Sequence, residues 1–124
     1  MFKKYTEIAD RIQKEDNPNR VYYLDEVGPG DGYHEYIVLN GRTGDILQTV
    51  MFQNGPRKEV GSKAGVLDTD LLEIVRHRLN TFADGSLGDD DTRKAAMCVE
   101  GALGFLNRRK EDRKKRGVLG TSKR

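Results

Sequence analysis

Cysteine occurs once in this sequence, at Cys98, so neither an internal disulfide nor a metal site built from several cysteines is available. Apolar residues are also scarce, with 35% of the 124 residues hydrophobic against 34% charged. No run of ~18 apolar residues exists, which excludes a membrane-spanning helix. The opening Met1-Phe2-Lys3-Lys4-Tyr5-Thr6-Glu7 lacks the apolar stretch of a signal peptide. Together with the lone thiol, that gives a cytoplasmic expectation. A chain of this length is expected to form one domain, residues 1–124. Its apolar supply is thin enough that a second subunit is expected to finish the burial of its helices.

The constellations of catalysis are missing as well. His34 and His77 are the two histidines, and neither has a metal-type cluster in its neighbourhood, so each is read as a packing or surface residue. No Gly-x-Ser-x-Gly elbow is present. Gly55-Pro56-Arg57-Lys58 and Gly117-Val118-Leu119-Gly120-Thr121 lack the Gly-Lys-Ser/Thr ending of a phosphate loop. The sequence therefore reads as a binding protein without turnover, metal or cofactor.

Charge is plentiful and unevenly placed. The net charge is +2, but residues 107–124 hold nine of the 22 basic side chains and two of the 20 acids. That segment carries +7 and the rest of the chain −5, so the C-terminal end is the anion-seeking part.

Periodicity divides the chain into five segments. Phe2, Tyr5, Ile8, Ala9 and Ile12 recur at helical spacing and predict a short amphipathic helix within residues 1–19. Residues 20–53 predict a three-stranded antiparallel β-meander over 20–27, 33–40 and 46–53, with turns at Gly28-Pro29-Gly30-Asp31-Gly32 and Gly41-Arg42-Thr43-Gly44-Asp45. Residues 54–67 form a loop carrying Arg57, Lys58 and Lys63. Residues 68–116 predict two long helices. The first is capped by Asp68 or Asp70, with Asp70 and Glu73 spaced as a capping box. Its stripe is Leu71, Leu72, Val75, Leu79 and Phe82. The second starts at Asp90 or Asp91, presents Ala95, Ala96, Val99, Ala102, Leu103 and Leu106, and places Cys98 among apolar neighbours, where it is expected to be buried. Gly117 and Gly120 end it, leaving residues 117–124 as a tail. The fold class is α+β, with the helices forming an antiparallel oligomer interface where Gly101, Ala102 and Gly104 permit close approach.

On the last helix Arg109, Arg113 and Arg116 fall on one face at i, i+4 and i+7. Such a row suits bidentate phosphate contact; from the run alone a solvated helix end reads equally with an anion site, and a nucleic-acid contact is a third option. The acidic remainder of the chain weighs against nucleic acid. Phe82, at the end of the first long helix, fits either a core residue or a platform for a stacked base.

Two blocks narrow these choices, Phe52-Gln53-Asn54-Gly55-Pro56-Arg57-Lys58-Glu59-Val60-Gly61 and Arg113-Lys114-Lys115-Arg116-Gly117-Val118-Leu119-Gly120-Thr121. With the helix pair between them they resemble the sponges by which phages block nucleotide-signalled bacterial immunity. One branch is the anti-CBASS sponge, type two, which is helical and binds cyclic oligonucleotides. The other is the Thoeris anti-defence sponge, type one, which carries strands ahead of the shared helices and is the more similar. The resemblance spans residues 46–121. It implies capture, without cleavage, of a cyclic ADP-ribose isomer, the 1″–3′ glycocyclic form, and for some members of cyclic di- or trinucleotides by a homodimer or homohexamer. The contacts it implies are Phe82 for adenine stacking and Arg57, Arg109 and Arg113 for phosphates, with Lys58 and Arg116 beside them. Thr92 stands where the family often has Asn, and Leu119 where an acid is common.

Helix geometry then adds a constraint. Thr92 and Arg109 are 17 residues apart on one helix, or ~25 Å at the α-helical rise. One dinucleotide-sized ligand cannot reach both on one chain, so a shared pocket needs two antiparallel protomers.

Overall fold

β-Branched and aromatic residues at Val21, Tyr22, Tyr23, Tyr36, Ile37 and Val38 favour extended backbone, and pairing them settles the first half of the chain as a sheet. In the computed structural model, which describes residues 4–55, 60–121 and 123–124, the architecture is α+β. The chain divides into two compact units, residues 1–65 and 66–124.

The first unit is an antiparallel sheet of four strands, β1 (Tyr5–Glu7), β2 (Asn19–Leu24), β3 (Glu35–Asn40) and β4 (Ile46–Met51), in the order β1-β2-β3-β4. The meander expected over residues 20–53 is present, with strands shorter than the hydrophobic pattern suggested. Among the described residues from 4 to 19 the expected N-terminal helix is not. Tyr5, Thr6 and Glu7 instead pair with Leu24, Tyr23 and Tyr22 as a fourth strand. The Ile8 N–H donates to the Val21 carbonyl at 2.9 Å, and the Asp25 N–H to the Lys4 carbonyl at 3.1 Å, extending the ladder at both ends. A helix this short gains little alone. Ile12, which completes the helical stripe on paper, is 96% exposed and buries nothing. The strand, by contrast, satisfies its backbone and carries side-chain bonds, Thr6 Oγ1 donating to Asp25 and Tyr5 Oη to Glu35, the latter at 2.6 Å.

That bond to Glu35, followed by partial burial and the carboxylate charge, pushes the Tyr5 phenol up to about 12. The folded value lies above the unfolded one, so the stabilisation is complete below pH 10 and is lost as pH rises toward 12. A spectrophotometric titration of phenolate should show a late-ionising component that Tyr5→Phe removes. A Tyr5→Phe protein with an unchanged titration curve would contradict the assignment.

The second unit is a helical hairpin, α1 (Asp68–Ala83) and α2 (Asp90–Lys115). Arg76 reaches Glu100 at 3.7 Å and Arg93 the Ala83 carbonyl at 3.5 Å, so the helices run antiparallel, with the end of α1 beside the start of α2. The close turn between them leaves no space at Gly88, where a Cβ would meet the Ala83 carbonyl. Ala83, Ala96 and Leu103 are the buried hydrophobic residues among those described. Cys98 is exposed, contrary to the expectation from its neighbours. It lies two positions from buried Ala96, about 200° around the helix and hence on the outer face.

The caps also differ from the expected ones. α1 is capped at Leu67, and Asp70 is its third residue, accepting the Leu67 N–H at 2.8 Å. Glu73 pairs instead with Arg76 at 2.9 Å. α2 is capped by Asp89, whose carboxylate accepts the Thr92 N–H at 2.8 Å. That backbone bond, a second from the Thr92 side chain and the nearby Arg93 charge hold the Asp89 carboxyl below its ordinary value. Among the described residues no helix is long and apolar enough to cross a membrane.

Candidate ligand site

The hairpin sorts the sequence-derived residues into two groups at opposite ends of α2. Phe82, in the last turn of α1, and Thr92, in the first turn of α2, share the end where the helices are joined. Arg109, Arg113 and Arg116 share the far end, ~25 Å away along α2. Arg57 and Lys58 lie outside the described residues.

At the joined end Phe82 is 43% exposed. The Arg78 guanidinium, one turn earlier, lies 5.0 Å from the ring centroid, a cation–π distance. Phe82 therefore presents aromatic surface beside a cation. Thr92 serves the cap of Asp89 through its N–H and its side chain, which fixes the first turn of α2.

At the far end the three arginines, although on one helical face, have different surroundings. Arg109 is exposed and makes no ion pair or hydrogen bond through its side chain among the described residues. Arg116 is tied to Asp112, Nε to carboxylate at 2.9 Å, and its Nη1 donates to the Arg124 carbonyl. Arg113 is only 9% exposed and is the buried charged residue of the hairpin. Its Nη2 donates to the carbonyls of Val118 and Thr121, at 3.0 Å each. A solvated helix end, one reading of the basic run, therefore does not describe Arg113. The cause is the chain reversal that follows.

Gly117 adopts φ +72°, a left-handed conformation that glycine takes at little cost. The Gly117 N–H then bonds the Lys114 carbonyl at 3.1 Å and the Val118 N–H the Arg113 carbonyl at 3.0 Å, the paired bonds of a Schellman cap. Thr121 closes a further turn, donating its N–H at 3.1 Å and its hydroxyl at 2.5 Å to the Val118 carbonyl. The tail folds back and brings two carbonyl oxygens onto the Arg113 guanidinium.

No family model matches the chain. It is similar to the curated protein Thoeris anti-defense 1 of Bacillus phage SBSphiJ7, with 40% identity over 75 residues. The match takes in 60% of this chain and 52% of the relative, so the chain spans about half the length of the curated protein it matches. The resemblance carried by the two sequence blocks and the relationship to Thoeris anti-defense 1 agree.

Two cations near Phe82 were not picked out by sequence reasoning, which followed the dense basic run. Arg78 could have been found from its i, i+4 spacing to Phe82. Arg93, bonded to Asp90 at 3.2 Å and to the Ala83 carbonyl, leaves no comparable sequence signal, because its second partner is set by the hairpin. Among the described residues no cluster of three or more His, Cys, Asp or Glu could hold a metal ion.

Proposed function

We propose that this chain is an anti-Thoeris sponge, which binds the signal 1″–3′ glycocyclic ADP-ribose in the infected cell and holds it without cleaving it. The similarity to Thoeris anti-defense 1 carries the reading. The chemistry of the hairpin supports it, with an exposed aromatic ring for the adenine and arginines at both ends of α2 for the phosphates.

The pocket in this reading belongs to two protomers. Arg93, Met97, Gly101, Phe105 and Arg109 form one i, i+4 row, the type of ridge on which helices cross. Met97 is 66% and Phe105 68% exposed, and a Cβ at Gly101 would meet nothing within 4 Å. A two-fold axis through Gly101 lays Met97 against the partner's Phe105 and covers both apolar groups. It also brings the Phe82 end of one chain to the Arg109 end of the other, where Arg93 and the partner's Arg109 converge. Like charges that close together favour a site taken by an anion. The crossing forms two identical pockets.

The test is incubation with the purified signal, removal of unbound ligand, heat denaturation and chromatography of what is released. The signal is expected back unchanged, in amounts approaching one per chain. A hydrolysed product that appears only with the protein would overturn the sponge reading. Cyclic di- and trinucleotides run in parallel decide the ligand class, and their retention in place of the ADP-ribose isomer would overturn the Thoeris assignment.

A further inference from the structure

We infer that the C-terminal turn, Gly117–Thr121, is a latch over the anion site, and that an incoming phosphate opens it by taking Arg113 from the carbonyls of Val118 and Thr121. The inference rests on the sponge reading for its ligand, and on the contacts of Arg113 for its mechanism. Arg113 is 9% exposed, and its guanidinium Nη2 donates to two carbonyls of the turn. Arg116 is engaged in the same way, by Asp112 and the Arg124 carbonyl. Of the three arginines on this face, only Arg109 is open to a ligand.

The latch is built to be displaced. Its oxygens are neutral carbonyls, and a guanidinium binds an anionic phosphate oxygen more strongly than a neutral one. It is a short segment, closed by the Thr121 hydroxyl and N–H on the Val118 carbonyl. It turns on Gly117 and Gly120, both at positive φ, +72° and +75°. The buried Ala96 and Leu103 of the hairpin lie outside this segment. A ligand selects the open form, so its apparent affinity is reduced by the fraction of chains that are closed.

Two measurements on the full chain test this. In hydrogen exchange, amides of the turn should lose protection when the ADP-ribose isomer is bound, while those of α2 up to Arg109 keep or gain it. In titration calorimetry, Gly120→Ala should bind on the order of tenfold more tightly, because a Cβ at that positive φ strains the closed turn and not the open one. Circular dichroism of the variant should match the parent. Protection of the turn that is unchanged or raised by ligand, or a Gly120→Ala affinity equal to or below the parent's, overturns the latch. A parent chain that fails to retain the isomer at all overturns the sponge reading instead. Titration with pyrophosphate then still tests the latch by the same exchange readout.

Discussion

Arg113→Ala is expected to do two kinds of damage, and Arg109→Ala only one. Removing the Arg113 guanidinium leaves the carbonyls of Val118 and Thr121 without their shared donor and empties the space beneath the turn. Hydrogen bonds that involve a charged group are worth roughly 1.5–3 kcal/mol, so the variant should lose about 2–3 kcal/mol of stability in urea unfolding. It should also expose the tail to proteolysis and fail to retain the signal. Arg109 is exposed and has no partner among the described residues, so Arg109→Ala should unfold within about 0.5 kcal/mol of the parent. It should still bind about ten- to a hundredfold more weakly, the size of one lost charge-assisted contact. Arg113→Lys separates the two functions of that side chain. A lysine keeps the charge but cannot hold two carbonyls in the fixed geometry of a guanidinium. Stability of Arg113→Ala equal to that of the parent would show that the turn does not depend on this residue.

What could be read in the sequence follows the physics of each signal. The two long helices were legible because their stripes repeat over many turns and end at Gly117, whose left-handed backbone has a residue-type signature. The three long strands were legible from their β-branched and aromatic runs. β1 was not, because Tyr5, Thr6 and Glu7 are too few to show a period, and their strand exists only through pairing with β2. Cys98 misled because neighbours in sequence on a helix are not neighbours in space. At the candidate site the basic run was plain, and so was its helical face. The fate of each arginine was not, since Arg113 and Arg116 are claimed by backbone carbonyls, and a carbonyl has no sequence signal. The same holds for Arg93 and the Ala83 carbonyl.

The demand that Phe82 and Arg109 meet across a two-fold axis has a consequence that no single variant can show. Phe82→Ala and Arg109→Ala chains should each bind too weakly to fill their pockets at a signal concentration that just saturates the parent, the first for want of a stacking face and the second for want of a phosphate contact. Arg109 is the better partner for this test than Arg113, because its removal leaves the tail in place. When the two inactive chains are mixed and allowed to exchange, some dimers contain one of each. In such a dimer one pocket takes Phe82 from the Arg109→Ala chain and Arg109 from the Phe82→Ala chain, and both are intact. The other pocket collects both lesions. Binding should therefore return, with parental affinity, to one pocket in each mixed dimer. Native mass spectrometry reads this directly, because mixed dimers should carry one ligand where parental dimers carry two and the unmixed variants carry none. If both residues instead served a pocket within one chain, every pocket in the mixture would hold one lesion and none would recover. Mixed dimers that form but stay empty would separate Phe82 from Arg109 and require the anion site at the end of α2 to work without the aromatic ring.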